Sequence, residues 1–326
     1  GSAYVYEFNG LAWISVATLV APDALEDAFL GHSIAIHDNW IIAGAWADNA
    51  NFLDGGAAYI FSDQGAGWAY FQKIISNNLA EDDLFGTAVD IHGNHAIVGA
   101  QFHDTLGQNR GAAYIFEIGM LGAGWLQVAE VTASDVEPFD RFGIDVAIDG
   151  DTALVGSFDD APGNLSGAAY LYRFDGIDWI EQTKIESPDL APGVHFGSAL
   201  DLDATTAVFG SPLDGGAAFG AGAGYFYDVP RVSLDIAQSS VLAGDSIDFQ
   251  LCGAIDGEPT RLQLIEVSGV PTLLHVVGGA VPPGGLWAGS YLVPLTYAGD
   301  DLVFRGLTLD NIGTHIHSNT VEVEVN

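Results

Sequence analysis

The chain repeats itself at an interval of about 55 residues, and this beat constrains its fold more than any other feature. A tyrosine that closes a Gly-Ala-Ala-Tyr type segment falls at Tyr4, Tyr59, Tyr114, Tyr170 and Tyr225, spaced 55, 55, 56 and 55 residues apart. A glycine after an apolar residue falls at Gly31, Gly86, Gly143 and Gly197, and a tryptophan at Trp13, Trp68, Trp125 and Trp179. Three independent markers in one period point to propeller blades or a stacked array. Between the markers lie short apolar or β-branched runs such as FGTAVDIH, HAIVGA, GAAYIF and WAYFQKI, each bounded by Gly, Asn or Asp. That is the pattern of strands, and no stretch supports a helix longer than a turn.

The four strands of a repeat are called a to d, with a starting at the Phe-Gly glycine. The b strands end in Gly44-Ala45, Gly99-Ala100, Gly156-Ser157 and Gly210-Ser211, the c strands carry the tyrosines and the d strands the tryptophans. Glycine at these points is expected to let neighbouring backbones come close in the crowded inner part of a blade. The aromatic rings are expected to supply apolar area between blades. The strand count is uneven: the chain begins on a c strand and ends its repeats on another at Tyr225, so the last repeat lacks a d strand. Residues 11–19 form a spare d strand that would complete that blade in a closed ring. One c strand, residues 2–8 or 222–228, is then surplus. It is explained either by blades upstream of Gly1 or by pairing with a neighbouring molecule.

These residues resemble FG-GAP repeats, the blade unit of integrin α-chain propellers and of many secreted bacterial proteins. The Phe-Gly start is explicit at Phe85-Gly86, Phe142-Gly143 and Phe196-Gly197, and is Leu30-Gly31 in the first repeat. The Gly-Ala-Pro end is Gly-Ala or Gly-Ser here, with proline kept only at Gly210-Ser211-Pro212. The resemblance implies an all-β chain: a β-propeller of about four 55-residue, four-stranded blades over residues 1–229. At Pro230 the beat stops, and longer alternating strands such as SIDFQLC, RLQLIEV and LVFRGLTL follow. Seven such strands over residues 230–326 predict an immunoglobulin-like β-sandwich, without the cysteine–tryptophan–cysteine pattern of antibody domains.

Composition narrows the function. Asp and Glu number 43 against 8 Lys and Arg, a formal net charge of −35. Such a field repels nucleic acid, attracts divalent cations and suits a saline medium. The single cysteine, Cys252, excludes an internal disulfide framework. No run of about 18 apolar residues is present, so no transmembrane helix is expected. The chain opens on a strand without a charged-then-apolar leader, so any export signal is expected to have been removed or to be absent.

Candidate sites follow from placing these residues on the blades. The d–a and b–c loops share one end of every blade. They gather Asp23, Glu26, Asp27, Glu81, Asp82, Asp83, Asp135, Glu137, Asp140, Glu186 and Asp189 with Asp48, Asp54, Asp104, Asp159, Asp160 and Asp214. The recurring Asp48, Asp104, Asp159 and Asp214 are candidate metal residues, with Ca²⁺ the ion to expect, or else turn formers that bond their own backbone. The DxDxDG-like calcium loop that the resemblance implies between a and b is absent, since that turn is His37-Asp38-Asn39, His92-Gly93-Asn94, Asp149-Gly150-Asp151 or Asp203-Ala204-Thr205. His37, His92, Asp149 and Asp203 occupy one position of strand a and make a second candidate set around a closed axis. His315 and His317 form a weaker pair, and Asn164-Leu165-Ser166 matches a glycosylation acceptor.

No nucleophile elbow, zinc-protease helix or phosphate-binding loop is present, so no catalytic residue and no required cofactor are expected. The expectation is a secreted or cell-surface, non-enzymatic structural or adhesion protein. It would assemble head to tail by exchange of N-terminal strands, with Tyr4, Tyr6, Trp13, Tyr225 and Tyr227 at the contact. The alternative is a glycan-binding propeller using aromatic residues such as Trp46 or Phe102. Partners are thus a second copy or an extracellular protein or glycan.

Overall fold

The computed structural model of the chain describes residues 1–229 apart from 24–25, 50, 105–107, 120–122, 160–165, 189–191, 204 and 215–219. Beyond residue 229 it describes the backbone of the strands named below. The chain divides into two compact units, Gly1–Tyr172 with Trp179–Asp228, and Arg173–Asp178 with Val229–Asn326.

The first unit is built from antiparallel sheets that recur with the sequence period. A hairpin of β1 (Ala3–Phe8) and β2 (Trp13–Leu19) comes first. The first four-stranded sheet is β3 (Ile34–His37), β4 (Trp40–Ala45), β5 (Ala57–Asp63) and β6 (Trp68–Ile74), in the order a-b-c-d. The second is β7 (Val89–His92), β8 (His95–Ala100), β9 (Ala112–Ile118) and β10 (Trp125–Val131). The third is β11 (Phe142–Asp149), β12 (Thr152–Ser157), β13 (Ala168–Phe174) and β14 (Trp179–Ile185). The last has three strands, β15 (Ala199–Asp203), β16 (Thr206–Ser211) and β17 (Ala223–Asp228). This is the all-β, propeller-like repeat that the period predicts.

Sequence pattern and burial agree strand by strand. The b and c strands are continuous apolar runs because both of their faces are covered: every residue of β8 is buried. The d strands alternate because they lie outermost, and β10 is buried at its ends and open at alternate positions between. Each sheet has two unlike faces. Ile42, Ala58, Ile60 and Ile74 of the first sheet meet Val89, Val98, Tyr114, Phe116 and Trp125 of the second. In the same way Ala3 and Leu19 of the hairpin meet Ile41, Ala43, Tyr59 and Phe61 of the first sheet. A tyrosine-bearing face therefore always looks back along the chain, and an aliphatic face looks forward.

Glycine makes this stacking possible at two positions per contact. A Cβ on Gly44 would lie 2.0 Å from the Gly86 carbonyl oxygen, and one on Gly86 would lie 2.3 Å from that of Ala57. Gly86 also holds φ at +93°, which a residue with a Cβ rarely adopts. The first contact recurs as Gly99 over Gly143 and Gly156 over Gly197, each at 2.1 Å.

One expectation is corrected. Residues 11–19 do not complete the last sheet: β2 pairs with β1 from Ala3↔Leu19 to Phe8↔Trp13. The hairpin wins because its turn is local and self-capped, Asn9 Oδ1 accepting the Leu11 and Ala12 N–H groups at 2.9 Å. A short loop costs less closure entropy than a pairing across the whole repeat array. The hairpin occupies the c–d half of a sheet: a Cβ on Gly1 would lie 2.1 Å from the Leu30 carbonyl, as one on Gly56 would from that of Phe85.

In the second unit eight strands are described: β18 (Ser233–Ile236), β19 (Ser240–Val241), β20 (Ser246–Cys252), β21 (Pro259–Val267), β22 (Val270–Ala280), β23 (Trp287–Leu292), β24 (Asp301–Leu309) and β25 (His315–Val325). They form a three-stranded sheet, β18-β20-β23, and a five-stranded sheet, β19-β25-β24-β21-β22. Each of the seven runs read from the sequence overlaps one of these strands, SYLVPLTY only at residues 290–292 with 293–297 outside the described residues, and the two-residue β19 lies parallel to β25.

Candidate functional site: loop-side clusters and two open sheet faces

The c-strand tyrosines Tyr59, Tyr114, Tyr170 and Tyr225 send their hydroxyls towards the loop end of their sheets, onto side chains of the d–a loop, the b–c loop or the d strand. At the first sheet the Tyr59 hydroxyl lies 2.6 Å from Asp48 and 2.8 Å from Asp23, and donates its one proton between them. The Lys73 ammonium donates to both carboxylates at 2.9 Å and lies 5.2 Å from the Tyr59 ring centroid. Burial, with the bonds to Asp48 and Asp23 behind it, pushes the Tyr59 hydroxyl pKa far up. Burial works to raise Asp23 as well, but the Lys73 and Tyr59 bonds outweigh it and hold that carboxyl below its usual range. Asp48 is only 3% exposed, so Lys73 neutralises a charge that water does not reach.

The same positions carry inverted chemistry in the second sheet. Asn78 stands where Asp23 does, His103 where Asp48 does, and Glu130 where Lys73 does. The Asn78 amide donates to Glu130 at 3.1 Å and lies 3.3 Å from His103 Nε2. His103 Nδ1 is 3.1 Å from Asp83, both side chains being buried. In the third sheet Tyr170 and Lys184 both donate to Asp135 at 2.7 Å. In the last, Tyr225 donates to Asp214 at 2.5 Å.

The quartet of recurring aspartates thus separates. Asp48 and Asp214 share one position and hold tyrosine hydroxyls. Asp104 lies one residue beyond it and accepts the Asn109 N–H. Asp159 is 3.5 Å from Arg141 and 3.6 Å from His195. Asp160, Asp189 and the Asn164-Leu165 part of the glycosylation pattern lie outside the described residues. Among the described residues no three His, Cys, Asp or Glu side chains converge as a metal site. Of the strand-a set, His37 and His92 stack with ring centroids 4.1 Å apart, and His92 Nδ1 is 2.9 Å from Asp149. They link consecutive sheets in series. His315 and His317 fall on β25, where only the backbone is described.

A cluster on the a strands has no sequence signature. The outer edge of each a strand has N–H groups left over from its own sheet, and side chains of the preceding sheet accept from them. Ser33 accepts from Val89 N–H at 3.0 Å, Asp90 from Ile148 at 2.7 Å and Asp145 from Leu200 at 2.7 Å. Burial raises Asp90 to about 6, the nearby Asp201 and Asp145 charges adding to it, and burial likewise raises Asp145 to about 6. Ser33 and Asp145 lie two residues after their Phe-Gly glycines and Asp90 four, so no single repeat position flags all three.

The two ends of the array are open. Tyr4 is 58% exposed and Trp13 69%, whereas their counterparts Tyr114 and Trp125 are at 0% and 1%. Tyr6 and Phe8 continue this uncovered tyrosine face. At the other end Tyr225 and Tyr227 turn inward onto Phe196, at 5.5 and 6.5 Å between ring centroids. The uncovered residue is Phe226, 76% exposed at the position of buried Ile60 and Ile115. Strand parity predicts this, since neighbours on a strand face opposite ways. Of the lectin candidates, Trp46 stacks on Phe29 at 5.1 Å, and Phe102 lies 5.6 Å from the Arg141 guanidinium.

Comparison with known proteins matches four FG-GAP repeats, at residues 13–61, 68–116, 125–172 and 179–227. Each unit begins on a d strand and ends on a c strand, so it straddles two sheets. No curated protein matches the chain. Among solved structures, Spo0M of Bacillus subtilis is 12% identical with a TM-score of 0.20, over 29% of this chain and 49% of its own. The chain therefore spans about half the length of Spo0M. Sqt1 of Chaetomium thermophilum is 12% identical with a TM-score of 0.39, over 90% of this chain and 72% of its own. A Ca²⁺-stabilized adhesin with which an Antarctic bacterium binds ice is 11% identical with a TM-score of 0.20, over 89% and 82%. At these scores the likenesses carry no argument about this chain. No described helix is long and apolar enough to cross a membrane.

Proposed function

The chain belongs to the FG-GAP repeat family, and from that premise we propose that it is a secreted, non-enzymatic structural or adhesion protein that associates head to tail. The observation that carries this reading is the pair of unlike open faces. A tyrosine face ends the array at β1–β2 and an aliphatic face ends it at β17, and inside the molecule these two kinds of face pack together where the hairpin meets the first sheet and where the first sheet meets the second. A contact between unlike faces does not pair off, so it propagates. The second unit would act as an immunoglobulin-like spacer. A charge of −35 favours a saline extracellular setting and disfavours nucleic acid.

Light scattering of the full chain and of a chain lacking residues 1–20 tests the reading. Mass that grows with concentration only in the full chain supports it, and a monomer of 34.1 kDa in both at all concentrations rejects it. The reading needs no cofactor. Calcium titration is the check, and stoichiometric uptake lost on Asp104→Asn would add a structural ion. Glycan binding is the second reading, favoured by the aromatic surface of Phe29 stacked on Trp46 at the loop end. Saccharide binding that is lost on Trp46→Ala without a change in mass would select it.

A further inference from the structure

The N-terminal hairpin is half a sheet, and the half it lacks leaves a shaped groove. Among the described strands β1 is bonded to β2 along one edge only, whereas every c strand of the four-stranded sheets is bonded on both. Beside the open edge lies a cavity of about 320 Å³ lined by Ala3, Val5, Leu19, Ile34, Ile36 and Ile41. Ile34 and Ile36 are 55% and 60% exposed. The groove is already positioned as an internal sheet boundary is. Gly31 approaches the Ser2 carbonyl as Gly86 approaches that of Ala57.

Complete boundaries show what fits there: an antiparallel b strand. Its glycine stands opposite the residue before the c-strand tyrosine, as in Gly44↔Ala58 and Gly99↔Ala113, and rests on the next Phe-Gly carbonyl. At the hairpin the place opposite Ala3, above Gly31, is empty of such a glycine. One b-strand glycine is unused in the converse sense. Gly210 pairs with Gly224, but among the described residues a Cβ on it would meet Ala199 alone, at 3.4 Å or more, with no glycine carbonyl of a following repeat beneath it. The strand that now covers β16 is β17, whose Tyr-Phe-Tyr is matched in register by Tyr4-Val5-Tyr6 of β1.

We propose that the open edge of β1 is an acceptor site for strand β16 of a second copy of this chain, where β1–β2 of the acceptor displaces β17 of the donor. The composite sheet takes strands a and b from one copy and c and d from the next. It gains the d strand that β15–β17 lacks, covers Ile34 and Ile36, and sets Gly210 on Gly31. This rests on the head-to-tail reading and gives it a joint made by strand pairing instead of face stacking, one in which β17 is displaced and Phe226 takes no part.

The test uses the full chain and a labelled peptide of residues 205–213 (TTAVFGSPL), followed by fluorescence anisotropy. Saturable binding is expected. It should weaken at least about tenfold when the peptide carries Gly210→Val, because the added side chain meets backbone at Gly31, and again when the chain carries the exposed Ile36→Asp. Equal binding of the two peptides, or none of either, overturns the site. Light scattering at saturating peptide then tests the donor. A fall of the polymer mass to 34.1 kDa supports a second copy. A mass that does not respond, or a chain that is monomeric throughout while it binds peptide, overturns the second copy as donor and leaves head-to-tail association to be judged by its own truncation test.

Discussion

At the scale of single residues, the polar groups between the sheets do structural work that composition alone makes look like surface charge. Lys73 is one of 8 basic residues against 43 acids, and it is spent on buried Asp48. Lys73→Met should cost about 3 kcal/mol in a denaturant melt, the penalty of leaving a buried charge without its partner. Lys73→Met with Asp48→Asn should recover most of it. The a-strand aspartates act in the opposite sense with pH. Folding raises Asp90 and Asp145 to about 6 from an unfolded value near ~3.9, so the folded state binds more protons between these values. Stability should therefore rise as pH falls from about 6 towards 4. Asp23 and Asp135 are held low, so what they contribute is present above their unfolded pKa and lost as pH falls further, through their folded values. Asp90→Asn keeps an oxygen for the Ile148 N–H and should raise Tm at pH 7 while flattening the slope from pH 6 to 4; a lower Tm at pH 7 would refute this.

At the scale of elements, glycine placement decides which sheets stack. Gly44→Val drives a side chain into the Gly86 carbonyl and should destabilise the first sheet boundary by about 3 kcal/mol. Gly210→Ala meets, among the described residues, Ala199 alone at ordinary contact distance and should leave the melting of the isolated chain within about 0.5 kcal/mol. Equal losses in the two would mean that glycine acts here through strand propensity alone. Much of this level is legible in the sequence. The strands, the Phe-Gly and Gly-Ala positions and the missing d strand all follow from the period, because each repeat buries the same faces. Two things are not legible. Asp104 and Asp159 look equivalent to Asp48 because acids are dense in the b–c loops, yet His103 holds the position. The partner of β2 is hidden because a d strand fits any c strand, and loop length rather than pattern selects β1.

For the molecule as a whole, the repeat array is a stack whose inner boundaries are used and whose two end faces are not. Phe226 marks one end and Tyr4 the other, and both are exposed in the single chain, so a charge at either leaves the fold intact. The most direct measurement is the mass, by light scattering, of Phe226→Asp and Tyr4→Asp chains, apart and mixed in equal amounts. Head-to-tail association through stacking of these two faces predicts that each alone stays at 34.1 kDa while the mixture doubles, since one variant keeps a sound tyrosine face and the other a sound aliphatic face. A mixture that stays at the single-chain mass, or variants that polymerise alone as the parent does, would contradict it.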